Sequence, residues 1–101
     1  MPVVTFAYDD LISLLGREVS VDALMDRVPQ LGADVHSYDE GTGELSIEFF
    51  PDRPDLYSVE GAARALRTFL GLQSGLTVYE VGRSDIVLTL EESIKAVRPY
   101  M

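Results

Sequence analysis

Two carboxylates flank an arginine and a proline in the run Asp52-Arg53-Pro54-Asp55. Paired carboxylates are the raw material of glycosidase-type acid/base chemistry. That chemistry needs one carboxyl desolvated so that its pKa rises. Nothing in the neighbouring sequence suggests such a pocket. The run stands instead at a helix start, where carboxylates accept backbone N–H bonds, so capping is the favoured reading of Asp52 and Asp55. His36 is the only histidine and there is no cysteine, which excludes disulfides, thiolate metal sites and cysteine nucleophiles. With no second histidine, His36 reads as a surface residue of a hairpin rather than a metal ligand. His36-Ser37 is not a nucleophile pair at workable spacing. Gly41-Thr42-Gly43 lies in a turn and carries no lysine, so it is not a phosphate cradle. Tyr8, Tyr38, Tyr57, Tyr79 and Tyr100 are scattered and suit packing better than base stacking. Arg53, Arg64 and Arg67 offer a small basic face, with the many acids as salt-bridge partners. Arg53, between Asp52 and Asp55, is placed to lock the turn through charge-assisted bonds.

The elements that position these groups centre on Phe49 to Gly61. Pro51 and Pro54 fix their own φ and push Phe50 and Arg53 toward extended backbone. A helix follows, with Val59, Ala62, Ala63, Leu66, Phe69 and Leu70 forming one apolar stripe at a 3.6 period. Ser58 is placed to N-cap it, with Asp55 as an alternative one turn earlier. Glu60 suits the positive end of the helix dipole. Gly71 can end the helix at positive φ.

Upstream, Val3 to Phe6 reads as a strand and Asp9 to Leu15 as a short helix stopped by Gly16. Ser20 caps a second helix through Val21, Leu24, Met25 and Val28, which Pro29 ends. A hairpin follows. Ala33, Val35 and Ser37 alternate with Asp34, His36 and Tyr38; the turn is 39–43; Leu45, Ile47 and Phe49 then face the core. Downstream, Thr77–Val81 and Ile86–Leu90 are expected to be two more strands, joined by residues 82–85. Residues 91–97 read as a short helix or an irregular exit. The sum is an α+β domain, three helices on small antiparallel strands, and 101 residues make one domain.

Net charge is −9, from 17 acids and 8 bases, and Lys95 is the only lysine. Such a chain is repelled by phosphate backbones, which argues against a free-standing nucleic-acid-binding module. Solubility accounts for the charge; so does adaptation to a salty cytoplasm, in which case stability should rise in molar KCl. No apolar run approaches membrane-spanning length and no signal peptide is visible, so a cytoplasmic location is expected.

Arg53-Pro54-Asp55-Leu56, Ser58-Val59-Glu60-Gly61 and Ala63-Arg64 together resemble the NRPDL-x-SVEG-x-AR signature of the phenylalanyl-tRNA synthetase beta subunit, N-terminal domain. The opening Pro2-Val3-Val4-Thr5-Phe6, Leu14-Leu15-Gly16 and the closing Ile94, Val97-Arg98-Pro99-Tyr100 extend the resemblance over the whole chain, in the order of the archaeal and eukaryotic form. Asp52 departs from it, standing where the pattern has Asn; it keeps an acceptor oxygen and loses an amide donor.

The resemblance implies a winged-helix-like fold with strands at its edges. It implies a place in an α2β2 enzyme that attaches phenylalanine to its tRNA using ATP and Mg²⁺. Catalysis would belong to the alpha subunit, and editing of mischarged tRNA to a later domain of the beta subunit. No catalytic, cofactor or metal residue of the family falls in this stretch. Asp52, Arg53, Pro54, Asp55, Ser58, Glu60, Gly61 and Arg64 then serve as a structural signature. Residues 91–101 would lead toward the editing domain, Arg98-Pro99-Tyr100 being the hand-over. The expected partners are the rest of the beta subunit and the alpha subunit, with tRNA-Phe touched only indirectly. A fragment deprived of its downstream chain is expected to associate with itself. A free-standing interaction protein derived from the same domain is the alternative.

Overall fold

Strand order follows from which residues alternate and which turns join them. In the computed structural model, which describes residues 2–98, β1 (Val3–Ala7), β2 (Ala33–Asp39) and β3 (Glu44–Phe49) form one antiparallel sheet in the order β1-β3-β2. The β2–β3 turn is held by Asp39, whose carboxylate accepts from the N–H groups of Gly41 and Thr42 at 2.7 and 3.2 Å. Gly43 takes φ +72°, a backbone state that costs glycine nothing.

One face of the sheet is apolar. Phe6, Leu45, Ile47 and Phe49 are buried there, and the rings of Phe6 and Phe49 stand 6.2 Å apart. Three helices cover that face: α1 (Tyr8–Leu15), α2 (Val21–Arg27) and α3 (Val59–Phe69). Leu11 and Leu15 of α1, Leu24 of α2, and Ala62, Ala63 and Leu66 of α3 join the core, together with Val28, Ala33 and Leu56. α1 packs directly on α3. Gly16 ends α1 at φ +71° and Ser20 caps α2, accepting from the Ala23 N–H at 3.3 Å. Pro29 tightens the chain after α2 into a 3-10 turn, Val28–Leu31. This is the expected α+β arrangement of three helices on antiparallel strands.

Three expectations are corrected. First, β2 carries a bulge between Val35 and Ser37: Val35 pairs with Ile47 and Ser37 with Ser46, so His36 is the extra residue. An extra residue reverses the alternation beyond it. Tyr38 therefore pairs with Leu45 and turns inward, and its ring meets that of Tyr8 edge-on at 5.8 Å. Second, Phe69 at the end of the α3 stripe is 40% exposed rather than buried.

Third, Thr77–Val81 and Ile86–Leu90 are not strands. They are β-rich in composition, but strand identity requires a partner to satisfy the backbone groups, and neither segment pairs with anything described. The segment runs out from the packed body. Its presence is visible in the radius of gyration, 17.0 Å, against roughly 13 Å for a compact chain of this length. Residues 91–97 do form a short helix, a 3-10 turn over Glu92–Ala96. Pro99, Tyr100 and Met101, which carry the expected hand-over, lie outside the described residues.

Candidate functional site

The chain from Phe50 to Gly71 behaves as one unit. After β3, a one-turn 3-10 helix, Pro54–Leu56, turns the path toward α3. Arg53 grips Asp55 with both ends of its fork: Nε donates to Oδ1 and Nη2 to Oδ2, each at 2.9 Å. This bidentate geometry is the strong form of the interaction. The hydrogen bond from Arg53 holds the Asp55 carboxyl below the ordinary carboxylate range and, reciprocally, raises the guanidinium. A lowered pKa is the reverse of what a catalytic acid requires.

Asp55 is thus engaged by Arg53 and caps nothing; Ser58 is the N-cap of α3, its Oγ accepting from the Gly61 N–H at 3.2 Å. Asp52 is exposed, makes no side-chain hydrogen bond, and acts on Arg53 only through its charge. The expected lock is therefore made by Arg53 and Asp55 without Asp52. Tyr57 Oη donates to the Phe50 carbonyl at 3.3 Å and closes the turn from the other side. Glu60 lies exposed in the first turn of α3, at the positive end of its dipole.

The pair's stabilisation is modest, because each side chain is 40% exposed. A group whose folded pKa is depressed adds stability at pH above its unfolded value and loses it as pH falls through the folded value. Asp55→Asn should therefore lower stability by under about 1 kcal/mol at pH 7. The gap to wild type should close once pH falls below the ordinary carboxylate value of about 3.9 and through the depressed one. Urea midpoints at pH 7 and at descending pH below the ordinary carboxylate value follow the closing of the gap.

Gly61 has a role that its place in the sequence does not announce. A Cβ there would run into the backbone carbonyl of Asp55. The first turn of α3 thus lies directly against the 3-10 turn. Leu56 is the buried residue of that turn, with none of its surface exposed. At the far end Gly71 takes φ +70°, its N–H donates to the Thr68 carbonyl at 3.1 Å, and the Leu72 N–H reaches the Arg67 carbonyl at 2.8 Å. This is a Schellman stop.

Beyond it, Arg64 Nη1 donates to Tyr79 Oη at 3.3 Å and pulls the phenol below its usual pKa. Through Tyr79 the outgoing segment touches α3.

Asp34, His36 and Glu48 meet on the wet face of the sheet, with one donor atom from each within 4.8 Å of the others. Asp34 lies directly opposite Glu48, a like-charge pairing that is unfavourable across strands. His36 Nε2 sits 2.8 Å from Glu48 Oε2 and 3.8 Å from Asp34 Oδ2. The histidine hydrogen-bonds Glu48 and stands within ion-pair distance of Asp34, which eases the like-charge contact between the two acids. Asp34 and His36 share a face by simple alternation, but that Glu48 lies opposite them follows only from the strand register.

The signature run therefore forms a hydrogen-bonded turn and helix start rather than the lining of a cleft. No cavity is present among the described residues.

No protein-family model matches the chain. The phenylalanine–tRNA ligase beta subunit of Methanopyrus kandleri is 53% identical over the whole of it. The corresponding subunits of Methanococcoides burtonii and Archaeoglobus fulgidus are each 48% identical, over 100% and 98% of it. A crystal structure of an N-terminal fragment of the phenylalanyl-tRNA synthetase beta subunit from Pyrococcus horikoshii superposes with a TM-score of 0.76 over 98% of this chain, at 31% identity.

The chain belongs with the N-terminal region of the phenylalanine–tRNA ligase beta subunits. It spans 17–18% of the length of these curated relatives and 29% of the crystallised fragment. In this chain the run from Arg53 to Gly61 holds a salt-bridged turn, a serine cap and a close glycine contact.

Proposed function

We propose that this chain is the non-catalytic assembly domain of a phenylalanine–tRNA ligase beta subunit, acting in protein biosynthesis in the cytoplasm. Residues 1–101 make one N-terminal domain, and 91–101 begin the passage to the next. Its partners are the rest of the beta subunit and, through it, the alpha subunit of an α2β2 enzyme; tRNA-Phe is contacted only indirectly. The arrangement of three helices with the β2–β3 hairpin beside them supports a winged-helix-like reading of the fold.

One observation carries the proposal: the signature residues are employed in holding α3. Arg53 and Asp55 engage each other, Ser58 engages Gly61, and Gly61 meets Asp55. On this reading ATP and Mg²⁺ serve the full enzyme rather than this domain. The glycine turn at 41–43 closes a hairpin rather than preceding a helix. The net charge of −9 opposes direct capture of RNA.

The test is a chimera in which residues 1–101 replace the equivalent N-terminal residues of the Methanopyrus kandleri beta subunit, purified with its alpha subunit. Replacing both Arg53 and Asp55 by alanine should leave kcat and the KM for tRNA of the assembled enzyme within about twofold, since neither group is asked to stabilise a transition state. A tenfold fall in kcat of fully assembled enzyme overturns the proposal.

A further inference from the structure

The segment leaving α3 has the pattern of two strands and the exposure of a loop. Leu76, Val78, Val81, Ile86, Val87 and Leu88 are 83–93% exposed. A run of that many bare aliphatic side chains marks a surface that something covers. The segment also has the makings of a hairpin. Residues 82–85 begin with glycine, and the Ser84 hydroxyl already accepts from the Ile86 N–H at 3.1 Å, a local turn bond. Four-residue connections are among the common hairpin loops.

Closing the two arms over that loop fixes the register. Val81 falls opposite Ile86, Tyr79 opposite Leu88 and Thr77 opposite Leu90. Alternation then places Val81, Ile86, Tyr79, Leu88, Leu90 and Thr77 on one face. The other face receives Glu80, Val87, Val78 and Thr89. One face is thus apolar apart from a threonine and a tyrosine hydroxyl, and the other is mixed. A two-stranded hairpin alone in water is marginal at best, which accounts for the open segment in this chain.

We propose that residues 77–90 form an amphipathic β-hairpin whose apolar face docks on the part of the longer beta subunit that follows this domain. The proposal rests on the reading of this chain as one domain of that subunit. The occupant is chosen on length: more than four fifths of each curated relative lies outside the region matched here. Arg64 sets the hairpin's starting point by holding Tyr79 against α3. The hairpin would thereby carry the orientation of α3 to the next domain.

Hydrogen exchange on the chimera and on the 101-residue chain tests this. In the chimera, amides within 77–81 and 86–90 should exchange at least 100-fold more slowly than in the short chain, where they should exchange at coil rates. Leu88→Asp, on the docked face, should abolish that protection; Val78→Asp, on the other face, should leave it within about threefold. In the short chain Leu88→Asp should leave the melting temperature unchanged, since Leu88 is already exposed. Coil-rate exchange in a chimera that still co-purifies with the alpha subunit overturns the hairpin and spares the assembly reading. Protection in a chimera that fails to co-purify supports the hairpin and defeats the assembly reading; absence of both defeats both. Protection that appears in the short chain and rises with its concentration names a second copy as the occupant, and overturns the one proposed.

Discussion

Gly61→Ala should destabilise this chain by about 3 kcal/mol, at the upper end of ordinary overpacking, with a fall in melting temperature of roughly 12–24 °C for a domain of this size. The sign makes the test decisive. Gly61 lies in the first turn of α3, and glycine in a helix is worse than alanine, by up to about 1 kcal/mol at interior positions. Propensity alone therefore predicts a gain. The geometry predicts a loss, because the added Cβ meets the Asp55 carbonyl. A flexible side chain could swing aside, but a backbone carbonyl inside a 3-10 turn moves only if the turn moves. Thr68→Ala, on the exposed side of the same helix, supplies the control and should be neutral or slightly stabilising. A thermal melt showing Gly61→Ala unchanged or raised would remove the contact between turn and helix from this account.

This contact also shows where the sequence was readable. The limits of α3 were legible because they are local. Ser58 accepts from an N–H only three residues further on, and Gly71 ends the helix within the reach of Thr68 and Arg67. The apolar stripe was legible for the same reason, down to Leu66. Gly61 was visible as a motif letter, but its purpose depends on the chain doubling back so that residue 55 faces residue 61. The bulge at His36 was hidden because it is a property of a pair of strands, and it reversed the face of Tyr38. Residues 77–90 failed in the opposite way. Their composition is strand-like, yet neither arm pairs among the described residues, because local pattern does not supply the support that a two-stranded hairpin needs. The meeting of Asp34, His36 and Glu48 was hidden because it depends on the register of two strands.

Leu56→Ala should cost 2–5 kcal/mol, the range for emptying a fully buried leucine site. That exceeds what the Arg53–Asp55 pair can lose, under about 1 kcal/mol for partly exposed partners. The comparison decides what aims α3. The salt bridge shapes the turn, but Leu56, with no exposed surface, is what fastens it to the core. Urea unfolding should show the midpoint of Leu56→Ala falling with its slope unchanged, since the folded and unfolded surfaces stay nearly the same. In the double variant with Gly61→Ala the losses should fall short of their sum by about 0.5 kcal/mol or more, the signature of coupled sites. Once the turn has come away from the core, the Asp55 carbonyl can retreat and the new Cβ has less to meet. Strictly additive losses would mean that turn and helix are fastened independently, and that the direction of α3 is set by its own packing on α1.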